Sequence, residues 1–193
     1  MGRITLPFFK KILTGFFVIF LSLAQANSTI EGVTIPALMK CDGKDVPISG
    51  SGLRTATFFK IKIYVLSLYA GEKIKSGAPD ELEQRPLCFV MTYLKDFDEK
   101  DVDRAWDYQF KESADFTYPD QKKHIQQLKD FFGGIRGERK QTIELSLDST
   151  KFYENDTLKG EIKGREFQKT FLSIWFGKNP PTQDLKDALL KGL

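Results

Sequence analysis

The side chains most often used for metal, phosphate or redox chemistry are sparse in this chain of 193 residues, and their spacing is uninformative. One histidine, His124, and two cysteines, Cys41 and Cys88, occur without any CxxC or HxxxH pattern, so no zinc or haem site and no cofactor is expected. Glu99, Asp101 and Asp103 have the look of a calcium ladder, but no glycine and terminal glutamate follow at loop spacing, which leaves them as the solvated face of a helix. Gly133-Gly134-Ile135-Arg136-Gly137 is glycine-rich, yet it lacks the strand before and the helix after that a phosphate loop needs, and reads as a tight turn. In an oxidising compartment Cys41 and Cys88 can pair if their Cα atoms come within disulfide range. Cys88 also lies inside the apolar run 87–91, where a small buried hydrophobe fits equally well.

The compartment is suggested by the first 26 residues. Arg3, Lys10 and Lys11 precede the apolar run 12–23, and Ala24-Gln25-Ala26 closes it with a small-residue cleavage site. That order is a secretory signal, so a cleavable signal peptide at 1–26 and a periplasmic product at 27–193 are expected; an uncleaved anchor is the alternative. The run is interrupted by Thr14 and Gly15 and is shorter than the roughly 20 apolar residues of a membrane span, so no transmembrane segment is expected in the mature form. Removing 26 of 193 residues leaves 167, a length suited to one domain. Of 29 basic residues, three leave with the signal, and the remaining 26 balance 26 acids, so no nucleic-acid partner is implied.

Periodicity then supplies the elements. Residues 32–48 read as an opening hairpin around the turn at 41–45, and Ser49-Gly50-Ser51-Gly52 reads as a flexible corner. The segment 57–69 is aromatic and β-branched and reads as one long central strand. Period-two counting puts Lys60, Lys62, Tyr64, Leu66 and Leu68 on one face and Phe59, Ile61, Ile63, Val65 and Tyr69 on the other, greasier one. A short helix is expected at 79–84 and a strand at 87–94. Val102, Ala105, Trp106 and Phe110 recur at helical spacing over 99–114, with Asp98 as N-cap. A second helix is expected over 120–132, ended by Gly133-Gly134, then strands at 140–147 and 151–162 turning at Asn155-Asp156. The apolar run 167–176 reads as a buried helix, and Thr182 caps a last one that turns Leu185, Ala188 and Leu189 inward. Antiparallel strands with segregated helices make an α+β domain.

Three of these segments together resemble a known family: Gly50-Ser51-Gly52-Leu53-Arg54 leading into KIKIYVLSLY, the helix after Asp98, and FLSIWFGKNPPTQDLKDALL at the end. They look like the bacterial branch of the chalcone isomerase-like family over about residues 32–193. The resemblance implies an open-faced β-sandwich, a large antiparallel sheet with helices packed on one side and a ligand cleft between sheet and helices. It also places the family's catalytic arginine at Arg54. The strand threonine of the plant isomerases falls at Tyr64, their tyrosine at or beside Asp98, their asparagine near Ala105 and their late hydroxyl at Ile174, so most of the catalytic set is replaced.

What remains resembles the arginine and strand tyrosine with which fatty-acid-binding members of the family hold a carboxylate. A guanidinium fork suits two carboxylate oxygens and a phenol adds a donor. Taken as one extended segment, residues 54 and 64 share parity and face one cleft unless a bulge intervenes. The resulting expectation is a non-catalytic binder of a fatty acid or similar small amphiphile, with Arg54 and Tyr64 at the head group and Leu66, Leu68, Phe171 and Ile174 along the tail. The alternatives are a lyase or isomerase using Arg54 with Tyr64, Tyr93 or Asp98, and a structural or partner-binding protein whose cleft is filled by its own side chains, in which Trp106 and Trp175 are plain core anchors.

Overall fold

The computed structural model describes residues 27–70, 87–113, 121–137 and 139–191. The signal peptide expected at 1–26 and the short helix expected at 79–84 lie outside them. Among the described residues there are nine strands and four helices. A small hairpin, β1 (Ser28–Ile30) with β2 (Val33–Ile35), precedes β3 (Leu38–Cys41), β4 (Lys44–Ala56), β5 (Ile61–Tyr69) and β6 (Leu87–Tyr93). Then come α1 (Glu99–Ser113), α2 (Gln121–Phe131), β7 (Lys140–Leu145), β8 (Ser149–Glu154), β9 (Thr157–Lys163), α3 (Arg165–Phe176) and α4 (Gln183–Lys191). Strands β3 to β9 form one antiparallel sheet in sequence order, interrupted between β6 and β7 only by the excursion of α1 and α2. The α+β class and the large antiparallel sheet with helices on one side are those expected.

Each face of the sheet has its own core. The helix side buries Leu66, Leu68, Phe89 and Met91 against Trp106, Phe110, Phe171, Trp175, Leu185 and Leu189. The other side buries Val65, Tyr69 and Cys88 against Ile35, Cys41, Val46 and Ile48. That second layer exists because β4 is long enough to serve two partners: Lys44 to Pro47 pair with β3, and Ile48 to Ala56 pair with β5 after a register shift between Ile48 and Gly50. There the β3–β4 end folds across the sheet, Tyr69 donates its hydroxyl to the Pro36 carbonyl at 2.9 Å, and Cys41 joins Cys88 in a disulfide with a Cα separation of 5.8 Å. The greasier face predicted by counting is therefore the one beneath this hairpin, whereas the Tyr64, Leu66 and Leu68 face carries the main core.

Three expectations are corrected. Residues 49–52 are no corner; they run through the middle of β4. Their glycines lie where α4 is seated on the strand: a Cβ on Gly50 would come within 2.4 Å of the Leu189 carbonyl oxygen, and one on Gly52 within 2.8 Å of the Ala188 Cβ. The low strand preference of glycine is outweighed by a helix that can approach the sheet only where side chains are missing. Conversely, 57–69 is not one strand. Thr57 to Lys60 form a tight turn in which both end residues take positive φ, 63° and 49°, and the chain reverses from β4 into β5. Asp98 does begin α1, its carbonyl accepting the first helical N–H groups, but its carboxylate pairs with Arg136 and does not cap. Thr182 caps α4 as expected, its Oγ1 accepting from the Leu185 N–H at 3.3 Å.

Candidate functional site

A cavity of about 350 Å³ lies between the β4–β6 end of the sheet and the first turns of α1, with α3 closing its side. Arg54 and Ala56 come from β4, Ile63 and Tyr64 from β5, and Met91 and Tyr93 from β6; Val102, Ala105 and Trp106 come from α1, and Ile174 and Trp175 from α3. Ala105 is exposed and Arg54 half-buried, so the cavity reaches the surface beside them. Its size lies at the lower end of the range of small-molecule sites, and its wall is mainly hydrocarbon and aromatic.

Arg54 and Tyr64 face each other, for a different reason than parity along one segment. The turn at Thr57 to Lys60 makes them cross-strand partners directly opposite each other, and opposed residues of an antiparallel pair share a face. The register then slips between Arg54 and Thr55, because Thr55 pairs with Lys62 and leaves Ile63 as the extra residue. A bulge of this kind re-aims a side chain, and Ile63 and Tyr64, though adjacent, both line the cavity. The bulge thus falls just beyond the pair and leaves it intact.

The polar atoms around the pair are unevenly satisfied. The Tyr64 hydroxyl accepts a hydrogen bond from Trp175 Nε1 at 3.2 Å, which leaves its own proton to be donated, and among the described residues no acceptor takes it. Nor does any carboxylate among them pair with the Arg54 guanidinium. Asp101, in the same wall, is occupied by Arg104. Tyr93 packs edge-on against Tyr64, ring centroids 5.7 Å apart, and donates its hydroxyl to Gln141 Oε1 at 3.2 Å. Burial holds the Tyr64 phenol above its ordinary range, although the Trp175 hydrogen bond and the Arg54 charge pull the other way. Burial raises Tyr93 as well, helped by its neighbour Tyr64 and by Glu154. Both phenols therefore stay protonated, as donors rather than bases, at any pH near neutrality.

Of the six residues expected to hold a ligand, Arg54, Tyr64 and Ile174 line the cavity. Leu66, Leu68 and Phe171 do not; they are fully buried in the core on the same side. Tyr93 lines the cavity but Asp98 does not. Ala105 and Ile174, which the resemblance sets where the isomerases carry an asparagine and a hydroxyl, are both in the wall and present only hydrocarbon. Sequence reasoning missed Met91, Trp106 and Trp175 as wall residues. Period-two spacing from Phe89 through Met91 to Tyr93 points to the first, whereas Trp106 and Trp175, read as core anchors, are core on one edge and wall on the other.

The architecture and this lined hollow define an open-faced β-sandwich with a cleft between sheet and helices. The sequence matches the chalcone isomerase-like family over residues 27–191, and the chain belongs to that family. Among solved structures it is similar to a fatty-acid binding protein of Arabidopsis thaliana, with a TM-score of 0.64 at 12% identity, over 86% of this chain and 96% of that one. At that identity the likeness is one of fold. No curated protein sequence matches it.

Proposed function

We propose that this protein is an exported, non-catalytic binder of a fatty acid or a similar amphiphilic carboxylate. The single observation that carries the reading is the pairing of an Arg54 guanidinium and a Tyr64 hydroxyl, directly opposite each other at an apolar cavity, which among the described residues have no carboxylate partner and no acceptor respectively. A half-buried charge with no partner is costly, and a carboxylate anion bonded by both groups removes that cost while its hydrocarbon tail leaves water. Ile174, Trp175, Met91 and Val102 provide surface for the tail. The fold shared with a plant fatty-acid binding protein agrees with this chemistry. Ring closure of a chalcone needs groups that position and activate a phenolate, and the aliphatic Ala105 and Ile174 supply neither. Export is supported by the signal-like order of residues 1–26 and by the Cys41–Cys88 disulfide, a bond kept in oxidising compartments.

The test is native mass spectrometry of protein recovered from the periplasm, followed by calorimetric titration with medium- and long-chain fatty acids. A bound acid is expected, and Arg54→Met should weaken it about 10- to 100-fold, the worth of a charge-assisted hydrogen bond. Protein that emerges empty and takes up no added acid would sink the proposal.

A further inference from the structure

The turn that joins β4 to β5 presents two large apolar side chains to solvent. Phe58 is 95% exposed and Phe59 84% exposed, with ring centroids 5.9 Å apart in an edge-to-face pair. No other large hydrophobic side chain among the described residues is as exposed as either. The tip is a continuation of the wall: Ala56, just before the turn, and Ile63, soon after it, both line the cavity. Its charged neighbours are mainly cationic. Lys60 is part of the turn, exposed and without an acid partner among the described residues. Lys62 is paired with Glu31 at 2.5 Å. The Leu94 N–H bonds to the Ile63 carbonyl, which brings the exposed and likewise unpaired Lys95 to the same end of the sheet.

From this juxtaposition we propose that the Thr57 to Lys60 turn is a membrane-docking finger, whose two phenyl rings enter the interfacial layer of an anionic bilayer while Lys60 and Lys95 meet its head groups, so that the cavity mouth lies against the lipid surface. The inference rests on the reading of the cavity as a fatty-acid site, since a binder of so insoluble a ligand gains from collecting it where it is dissolved. Three features select a bilayer as the occupant. Two aromatic side chains expose roughly 300–500 Å² on one copy, below the roughly 600 Å² or more that each partner gives to a stable protein interface, so a second copy of the chain is poorly served. The tip is a narrow turn rather than a flat patch, the shape that enters a fluid layer. Among the described residues Lys60 and Lys95 have no acid partner, and with Lys62 they outnumber the acids Glu31 and Asp96 at this end, a positive balance complementary to anionic lipid.

The experiment is co-sedimentation of the protein lacking residues 1–26, which retains every element of the fold described above, with vesicles of phosphatidylcholine alone or mixed with phosphatidylglycerol. Binding to the mixed vesicles is expected. Phe58→Ser with Phe59→Ser should lower the partition coefficient by about tenfold or more. Lys60→Glu should lower it about fivefold, on phosphatidylglycerol vesicles alone. Oleate titrated in the absence of vesicles keeps the two ideas apart, because neither variant touches the cavity wall and both should bind it as the parent does. Oleate binding without vesicle binding overturns the finger and spares the fatty-acid site. Vesicle binding that depends on Phe58 and Phe59, without oleate binding, supports the finger and sinks the site. Vesicle binding undiminished by the double serine variant overturns the finger. So does an absence of vesicle binding in a protein that sediments as a dimer with phenylalanines and as a monomer with serines, which would assign the tip to a second copy.

Discussion

Where α3 packs on β8, the helices meet the sheet through Phe152, Phe167 and Phe171, whose rings contact one another at 5.7 to 6.3 Å; beneath α1, the β4–β6 end of the same face holds Tyr64, Tyr93 and Trp175 around a hollow. The two regions belong to one continuous core, and Phe171 touches both Phe152 and Trp175. They differ in the tips of their rings. Phenylalanine is used where a ring is surrounded, because it brings no polar atom that must be satisfied. Tyrosine and tryptophan predominate where one edge faces the cavity, beside Phe97, and there the Trp175 N–H bonds the Tyr64 hydroxyl, the Tyr93 hydroxyl bonds Gln141, and the Tyr64 proton has no acceptor among the described residues. The end that could have been filled was left hollow and given donors, which is what the proposed binding site requires.

That contrast can be broken most forcefully at its solid end. Phe171→Ala should cost about 3–5 kcal/mol of stability in chemical denaturation, because it opens a void among rings that cannot close on it. A cost under about 1 kcal/mol would mean that this end is no better packed than the other. At the hollow end, Tyr64→Phe should cost only about 1–3 kcal/mol of stability, for the buried Trp175 N–H it leaves without an acceptor, yet weaken a bound fatty acid about fivefold, the value of one hydrogen bond, by calorimetric titration. A large loss of stability with no loss of affinity would instead make Tyr64 a core residue that happens to border a gap. The smallest effect concerns pH. Because burial raises the Tyr64 phenol above its ordinary 10.0, its proton should be retained as pH rises to 10.0, and affinity should hold across that range. The stability that the buried neutral phenol provides is whole below 10.0 and is lost only as pH climbs through the raised value. Affinity that falls already between about pH 8 and 9 in the parent, but not in Tyr64→Phe, would show a phenol more exposed than its setting requires.

Where information is local, the sequence was legible. The alternation over Lys140–Leu145 and the three-and-four spacing of Val102, Ala105, Trp106 and Phe110 placed β7 and α1 to within a residue or two. Thr182 announced α4 through its own cap. The misreadings share a cause, which is that the deciding contact is distant in sequence. Gly50 and Gly52 resemble a flexible corner until a helix more than a hundred residues later is seen resting on them. The turn at Thr57 to Lys60 has no glycine, proline or asparagine, and two aromatic residues within it mimic a strand. Arg54 and Tyr64 were found together only through the family resemblance, and the geometry that unites them is a hairpin rather than a shared segment. Trp175 reaches Tyr64 across 111 positions of chain, a pairing that no window along the sequence could reveal.

The disulfide between β3 and β6 has a bearing on this division of labour. It closes a covalent ring across 47 positions, and that ring contains Arg54, the exposed phenylalanines and Tyr64, but none of the four helices. Cross-linking a loop of that size removes about 4 kcal/mol of conformational freedom from the unfolded chain in a chain-entropy treatment. The gripping hairpin is thereby tethered at both its roots before any ligand arrives, whereas the helical roof is held by noncovalent packing alone. A thiol reductant should consequently act on the floor of the cleft and leave its roof to the rings.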